Sequence, residues 1–129
     1  GKFVADAAIK KMITAGKAPK KAKVVILGMT FKENCPDVRN TRVVDIYKAL
    51  KEYNLNITVY DPWVNPEIAR HEYGIDVINQ LPEEKFDAAV VAVAHTQFNG
   101  LDIPSLLQEK HVIYDVKGMC DRDIIDGRL

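Results

Sequence analysis

Cysteine is nearly absent: Cys35 and Cys120 are the only two in 129 residues. Two are too few for a disulfide scaffold, and neither is flanked at zinc-ligand spacing, so no metal site is expected. A reducing, cytoplasmic setting is the corresponding expectation. An excess of charge is lacking too, because 18 Lys and Arg residues balance 18 Asp and Glu. That balance argues against nucleic acid as a partner, which calls for a strongly basic face. No apolar run approaches the roughly 18 to 20 residues of a membrane span. The amphipathic N-terminus carries acidic Asp6, unlike a signal peptide. Internal repeats and low-complexity tracts are also missing.

What is present suits one soluble globular core, with 47% hydrophobic and 28% charged residues. The chain begins Gly-Lys and stops at "DGRL" without a finishing element, and so reads as a portion of a larger protein.

Residues 2–16 are expected to form a helix, with Val4, Ala5, Ala8, Ile9 and Met12 on one arc and Gly16 as a stop. "KAPKKAK" (17–23) is a basic connector. "KVVILG" (23–28) is a near-continuous β-branched run, as in a strand buried on both faces. A helix over 40–54 follows, with Val43, Val44, Ile46, Tyr47 and Leu50 inward and Asn40 or Thr41 as its cap. The pattern continues with a strand at 56–62, a short helix at 65–74 opened by Pro and closed by Gly, and a weak edge strand at 75–78. One helical turn at 81–86, a strand at 87–95, a helix at 102–110 and a strand at 111–118 complete it. Strands and helices alternate at intervals of about 30 residues, the length of a βαβ unit. The expected fold is therefore α/β: a Rossmann-like three-layer sandwich with a mostly parallel sheet, helices on both faces and an N-terminal helix in front. Residues 1–22 are read as helix and connector, and 23–129 as the Rossmann-like domain.

In open parallel sheets, ligands bind beyond the carboxyl ends of the strands. "GMTFKENCPDVR" follows the first strand and occupies the place of a dinucleotide loop, yet only Gly28 remains of that loop's glycines. Phe31 can supply an apolar wall, Lys32 a point charge and Arg39 a guanidinium. Cys35 lies between those cations, but nucleophilic catalysis needs a base, and no histidine is near in sequence. A bystander cysteine is the favoured reading. His95 follows the fourth strand and either faces the same cleft or caps a loop, whereas His71 and His111 look structural. Asp61, in "YDPW", either binds a ribose or simply ends its strand.

"VVILGMTFKENCPDVRNTR", "VYDPW", "AHTQF" and "YDVKG" together resemble the C-terminal domain of the UDP-glucose/GDP-mannose dehydrogenases. The resemblance runs from about Lys23 to the end, and is nearest the bacterial branch that oxidises UDP-N-acetylhexosamines for surface polysaccharide. It implies an enzyme that takes C6 of a nucleotide sugar from alcohol to carboxylate in two steps with NAD. The NAD would be bound mainly by an N-terminal domain, with the catalytic cysteine also upstream, so no catalytic residue is expected here and this piece alone would be inactive. The resemblance assigns substrate binding to Phe31, Lys32 and Asp37, and to Lys117 and Gly118 of the "VKG" loop. Arg39 would reach the cofactor. The implied partners are a UDP-sugar, the protein's own N-terminal domain and, through the first helix, a second copy in a homodimer or larger homo-oligomer. The alternative is a non-catalytic nucleotide-binding or regulatory Rossmann module.

Overall fold

The computed structural model describes residues 2–14, 16, 21–39 and 41–128. Asn40, one of the two expected caps, and residues 17–20 of the expected connector lie outside the described residues.

Six strands run parallel in one sheet: β1 (Lys23–Leu27), β2 (Asn56–Tyr60), β3 (Val77–Ile78), β4 (Phe86–Val91), β5 (Leu107–Asp115) and β6 (Gly127–Arg128). Their spatial order is β3-β2-β1-β4-β5-β6. That is the order of a doubly wound dinucleotide-binding sheet, and the winding reverses between β1 and β4. In β1, Val24 pairs with Ile57 on one side and Ala88 on the other. Flanked by strands and covered on both faces, Val24, Val25, Ile26 and Leu27 are all buried, which explains the unbroken apolar run.

Alternation along the strands feeds two cores. Val24, Ile26, Val59, Val90 and Val112 face the layer of three helices: α1 (Lys2–Thr14), α2 (Val43–Lys51) and α3 (Pro66–Tyr73). Val25, Leu27, Ala89, Val91 and Ile113 face 3-10 turns at Thr96–Phe98 and Ile103–Leu106, together with Met119, Ile124 and Ile125. Burying each large aliphatic contributes roughly 1.5–3 kcal/mol, so the two cores together hold the sheet.

The helices follow their local signals. The arc of α1 is buried at Val4, Ala5, Ala8, Ile9 and Met12, and Gly16 turns with φ of 82° just past its end. The Thr41 hydroxyl accepts a hydrogen bond from the Val43 amide (3.2 Å), capping one free N–H at the start of α2. Asn65 caps α3 through the Glu67 amide (3.0 Å), Pro66 opens the helix, and Gly74 closes it at φ 68°.

Two expected elements are corrected. Residues 81–85 are irregular instead of a helical turn, and Phe86 already belongs to β4, fully buried opposite Leu107. A lone turn costs more to nucleate than one hydrogen bond returns, and burial of Phe86 decides its conformation. The helix expected over 102–110 is instead a 3-10 turn, Ile103–Leu106, leading straight into β5. The apolar residues Leu106 and Leu107 fit either periodicity, and pairing of Leu107 with Phe86 selects the strand. β6, too short to stand out in sequence, adds Gly127 and Arg128 beside Tyr114 and Asp115. Among the described residues, no helix is long and apolar enough to cross a membrane.

Candidate functional site

The carboxyl ends of β1, β2, β4 and β5 converge where the winding reverses. Gly28 leaves β1 with φ of 103°, and a Cβ there would lie 2.5 Å from the Cβ of Val93. The continuation of β4 crosses at this point, with the Ala92 and Val93 amides both donating to the Leu27 carbonyl (2.9 and 3.3 Å). Glycine is thus required by chain packing, independently of any ligand.

Beyond Gly28, the first loop amides are already taken. The Asp61 carboxylate, completely buried, accepts at Oδ2 from the amides of Met29 (2.7 Å) and Thr30 (3.2 Å), and at Oδ1 from Trp63 (2.8 Å). In a dinucleotide loop, backbone amides at this place meet a pyrophosphate. Here an internal carboxylate fills the anion's position. Asp61 is therefore turned into the protein and not toward a ribose, which resolves the alternatives its sequence position left open.

His95 completes this cluster. It is fully buried, its Nε2 lies 2.8 Å from Asp61 Oδ2 and 3.1 Å from Thr30 Oγ1, and its Nδ1 accepts from the Asn34 amide (2.8 Å). A backbone N–H can only donate, so Nδ1 carries a lone pair and the ring proton sits on Nε2. The Thr30 hydroxyl in turn donates to the Lys32 carbonyl (2.9 Å). Asn34, with φ of 57°, exchanges two further hydrogen bonds with Thr96: Nδ2 to Oγ1 (2.7 Å) and the Thr96 amide to Oδ1 (2.9 Å). The Phe31 amide donates to the Asp37 carbonyl (2.7 Å), closing the loop on itself.

Above this framework, Phe31 is 56% exposed and Lys32 is exposed as well. Phe31 and Lys117 line a cleft of about 200 Å³ with Thr30, Thr41, Arg42, Val43, Ala92 and Val93. The structure thus brings together Phe31 from the β1 loop and Lys117 from the β5 loop. Lys32, Asp37, Arg39 and Gly118 lie on the same two loops, outside the cleft lining. Arg42, at the N-terminal boundary of α2, joins the lining although sequence reading passed over it. Its position just before the apolar run of α2, at a strand-to-helix connection, was the available signal.

Asp37 and Arg39 form a closed pair. The carboxylate accepts from Arg39 Nε (3.0 Å), Nη2 (3.1 Å) and the Arg39 amide (2.9 Å). Side-chain hydrogen bonds to the guanidinium hold the Asp37 carboxyl below its ordinary value, and the same bonds raise Arg39 above its own.

The β5 loop is organised by a second buried carboxylate. Asp115 accepts from the amides of Lys117 (3.1 Å), Gly118 (2.9 Å) and Cys120 (2.7 Å). Burial, reinforced by the Asp115 charge, pushes the Cys120 thiol up to about 12. Cys35 is half-buried, and no histidine serves it as a base, since the His95 nitrogens are engaged with Asp61, Thr30 and Asn34. His71 is exposed on α3, and His111 Nδ1 donates to the Gln108 carbonyl (2.7 Å). No group of three metal-ligating side chains occurs among the described residues.

Comparison with known proteins places these features in context. Residues 25–122 match the model of the UDP-glucose/GDP-mannose dehydrogenase family, UDP binding domain. The UDP-N-acetyl-D-glucosamine 6-dehydrogenase of Salmonella typhi is 42% identical over 132 residues, covering 100% of this chain and 31% of its own length. Protein CapL of Staphylococcus aureus is 37% identical over 95% of this chain and 29% of its own. The chain therefore spans less than a third of the curated relatives it matches. The NDP-N-acetyl-D-galactosaminuronic acid dehydrogenase of Methanosarcina mazei superposes with a TM-score of 0.84 at 21% identity, covering 97% of this chain and 28% of that one, a likeness of fold.

Proposed function

The chain belongs to the UDP-glucose/GDP-mannose dehydrogenase family, matching its UDP binding domain, and on that premise we propose that it forms one wall of the nucleotide-sugar cleft of an NAD-dependent 6-dehydrogenase. The full-length enzyme would oxidise the C6 alcohol of a UDP-sugar to a carboxylate in two steps, with its catalytic cysteine outside this chain. The whole-chain identity to a UDP-N-acetyl-D-glucosamine 6-dehydrogenase supports a UDP-N-acetylhexosamine as substrate.

One observation carries the reading: the Asp61 carboxylate occupies the loop amides that would otherwise hold a phosphate. A diphosphate at this strand end would therefore be held by side chains, and two cationic ones line the cleft. Lys117 and Arg42 line the cleft with Phe31, and Lys32 follows Phe31 on the same exposed loop. Lys supplies a compact charge and Arg a forked donor set, both suited to phosphate. The Phe31 ring offers an apolar wall for a base or sugar face. At about 200 Å³ the cleft is smaller than the roughly 300–1,000 Å³ typical of ligand pockets, which suits a half-site completed by another domain.

The same loop fits the pyrophosphate of NAD poorly, because its first amides, those of Met29, Thr30 and Phe31, are spent and its single glycine is packed against Val93. NAD, which takes up the hydride, is accordingly assigned to the remainder of the enzyme, with Arg39 reaching toward it across the cleft. Asp37 would orient Arg39 for that reach and contribute to the substrate side, with Gly118 shaping the loop that carries Lys117. On α1, Phe3 and Ile13 are 68% and 58% exposed, which supports packing of this helix against a second copy.

The test is Lys32→Ala in the full-length enzyme. Hydrogen bonds to charged groups are worth about 1.5–3 kcal/mol, so kcat/KM for the nucleotide sugar should fall roughly 10- to 100-fold. Unchanged kinetics would overturn the substrate-binding reading.

A further inference from the structure

We propose that His95, with Asp61 and Thr96, is a positioning unit that holds the 31–37 loop in the geometry needed to present Phe31 and Lys32 to the nucleotide sugar. The inference rests on the reading above that this loop contacts the substrate.

The His95 ring joins three chain segments. From its place after β4, its Nε2 engages Asp61 at the end of β2, and its Nδ1 takes the Asn34 amide from the β1 loop. Rings on two sides limit its movement, with Phe98 edge-on at 5.4 Å and Trp63 tilted at 6.3 Å between centroids. Trp63 is itself tied through Nε1 to Gln97 (3.0 Å). The ring is thus fixed in position and in tautomer.

The effect on the loop is to pin both ends of a short exposed segment. Thr30 is held by Asp61 and reaches forward to the Lys32 carbonyl. Asn34 is held by His95 through its backbone and by Thr96 through its side chain. Further along, Val38 is buried and its carbonyl accepts from the Tyr73 hydroxyl (2.6 Å). Between the pinned ends, Phe31, Lys32 and Glu33 direct exposed side chains to solvent. A rigid backbone under free side chains lowers the ordering cost of binding and sets where the contacts fall. A mere connection between β1 and α2 requires no such arrangement, and a buried imidazole is costly unless both nitrogens are satisfied.

Two substitutions separate the loop tie from simple packing. His95→Asn places an oxygen where Nδ1 was and can still accept from the Asn34 amide. His95→Gln places its amide where Nε2 was, keeping a donor for Asp61 but leaving the loop amide unserved. A third variant, Asn34→Gly, removes the Thr96 pairing at an exposed position whose positive φ glycine tolerates. Each is made in the full-length enzyme beside Lys32→Ala, with kcat and KM measured for both the UDP-sugar and NAD, and with Tm recorded.

One lost hydrogen bond corresponds to a change of up to about tenfold. His95→Gln should therefore raise the KM for the UDP-sugar by about tenfold and Asn34→Gly by several-fold. His95→Asn should stay within about threefold of wild type, and the KM for NAD should be unchanged throughout. If Lys32→Ala is impaired while Asn34→Gly and His95→Gln match wild type, the positioning role is overturned and the substrate reading stands. It is equally overturned if His95→Asn and His95→Gln lose activity in parallel with Tm. If Lys32→Ala is silent, the substrate reading fails and the inference fails with it. Should both His95 variants fail to fold, the Asn34→Gly kinetics alone decide.

Discussion

Gly28 and Val93 approach so closely that the Cβ missing from the first would stand 2.5 Å from the Cβ of the second. This contact, at the reversal of the sheet's winding, sets how the β1 loop leaves the sheet and hence where Phe31 lies. The glycine that looks like the remnant of a phosphate loop is a packing residue.

Gly28→Ala should accordingly destabilise the protein through two effects. Alanine at φ of 103° is strained, and its methyl overpacks against Val93, so a combined loss of about 2–4 kcal/mol is expected. Urea unfolding of the domain measures it, and a loss below about 0.5 kcal/mol would mean that the crossing can shift apart freely.

The Asp37–Arg39 pair makes a pH-dependent prediction. The folded carboxyl is held below its unfolded value, so its contribution is present above the unfolded value and is lost as pH falls through the folded one. A carbon-detected NMR titration should place the Asp37 midpoint below that of an ordinary aspartate. In Arg39→Ala the midpoint should move back up, because the guanidinium hydrogen bonds are the largest cause of the shift. An unmoved midpoint would assign the depression to something other than Arg39.

The two cysteines should differ in reactivity. With the Cys120 thiol pushed up to about 12 by burial and the Asp115 charge, it is poorly ionised at pH 8, and the thiolate is the reacting species. Iodoacetamide at pH 8 should therefore label Cys35 first, as read by peptide mass spectrometry of the native protein. On the reading of Cys35 as a bystander, Cys35→Ser in the full-length enzyme should leave kcat/KM within about twofold. Preferential labelling of Cys120 would contradict its half-buried, carboxylate-flanked setting.

Much of this molecule is legible in one dimension wherever the signal is local. Val24 to Leu27 announce a strand buried on both faces because no polar residue interrupts them. Asn65, Pro66 and Gly74 mark both ends of α3 because capping involves only nearby backbone. The signal fails where a distant partner decides. Leu107 becomes strand because Phe86 lies across from it, and nothing in "DIPSLLQEK" carries that information.

The site divides in the same way. Composition and spacing determined the α/β class, the strand ends where ligand residues gather, and the candidates Phe31, Lys32 and Arg39, because each depends on residue type beside a readable strand, whereas Lys117 entered only through the family resemblance. Only the tertiary structure could join Asp61 to His95 across 34 positions and set both beneath the amides of Met29 and Thr30. It alone added Arg42 to the cleft and bound Asp37 to its neighbour. Hydrogen bonds and cleft walls depend on distance in space, and the sheet's order, which brings β2, β1 and β4 side by side, creates those distances.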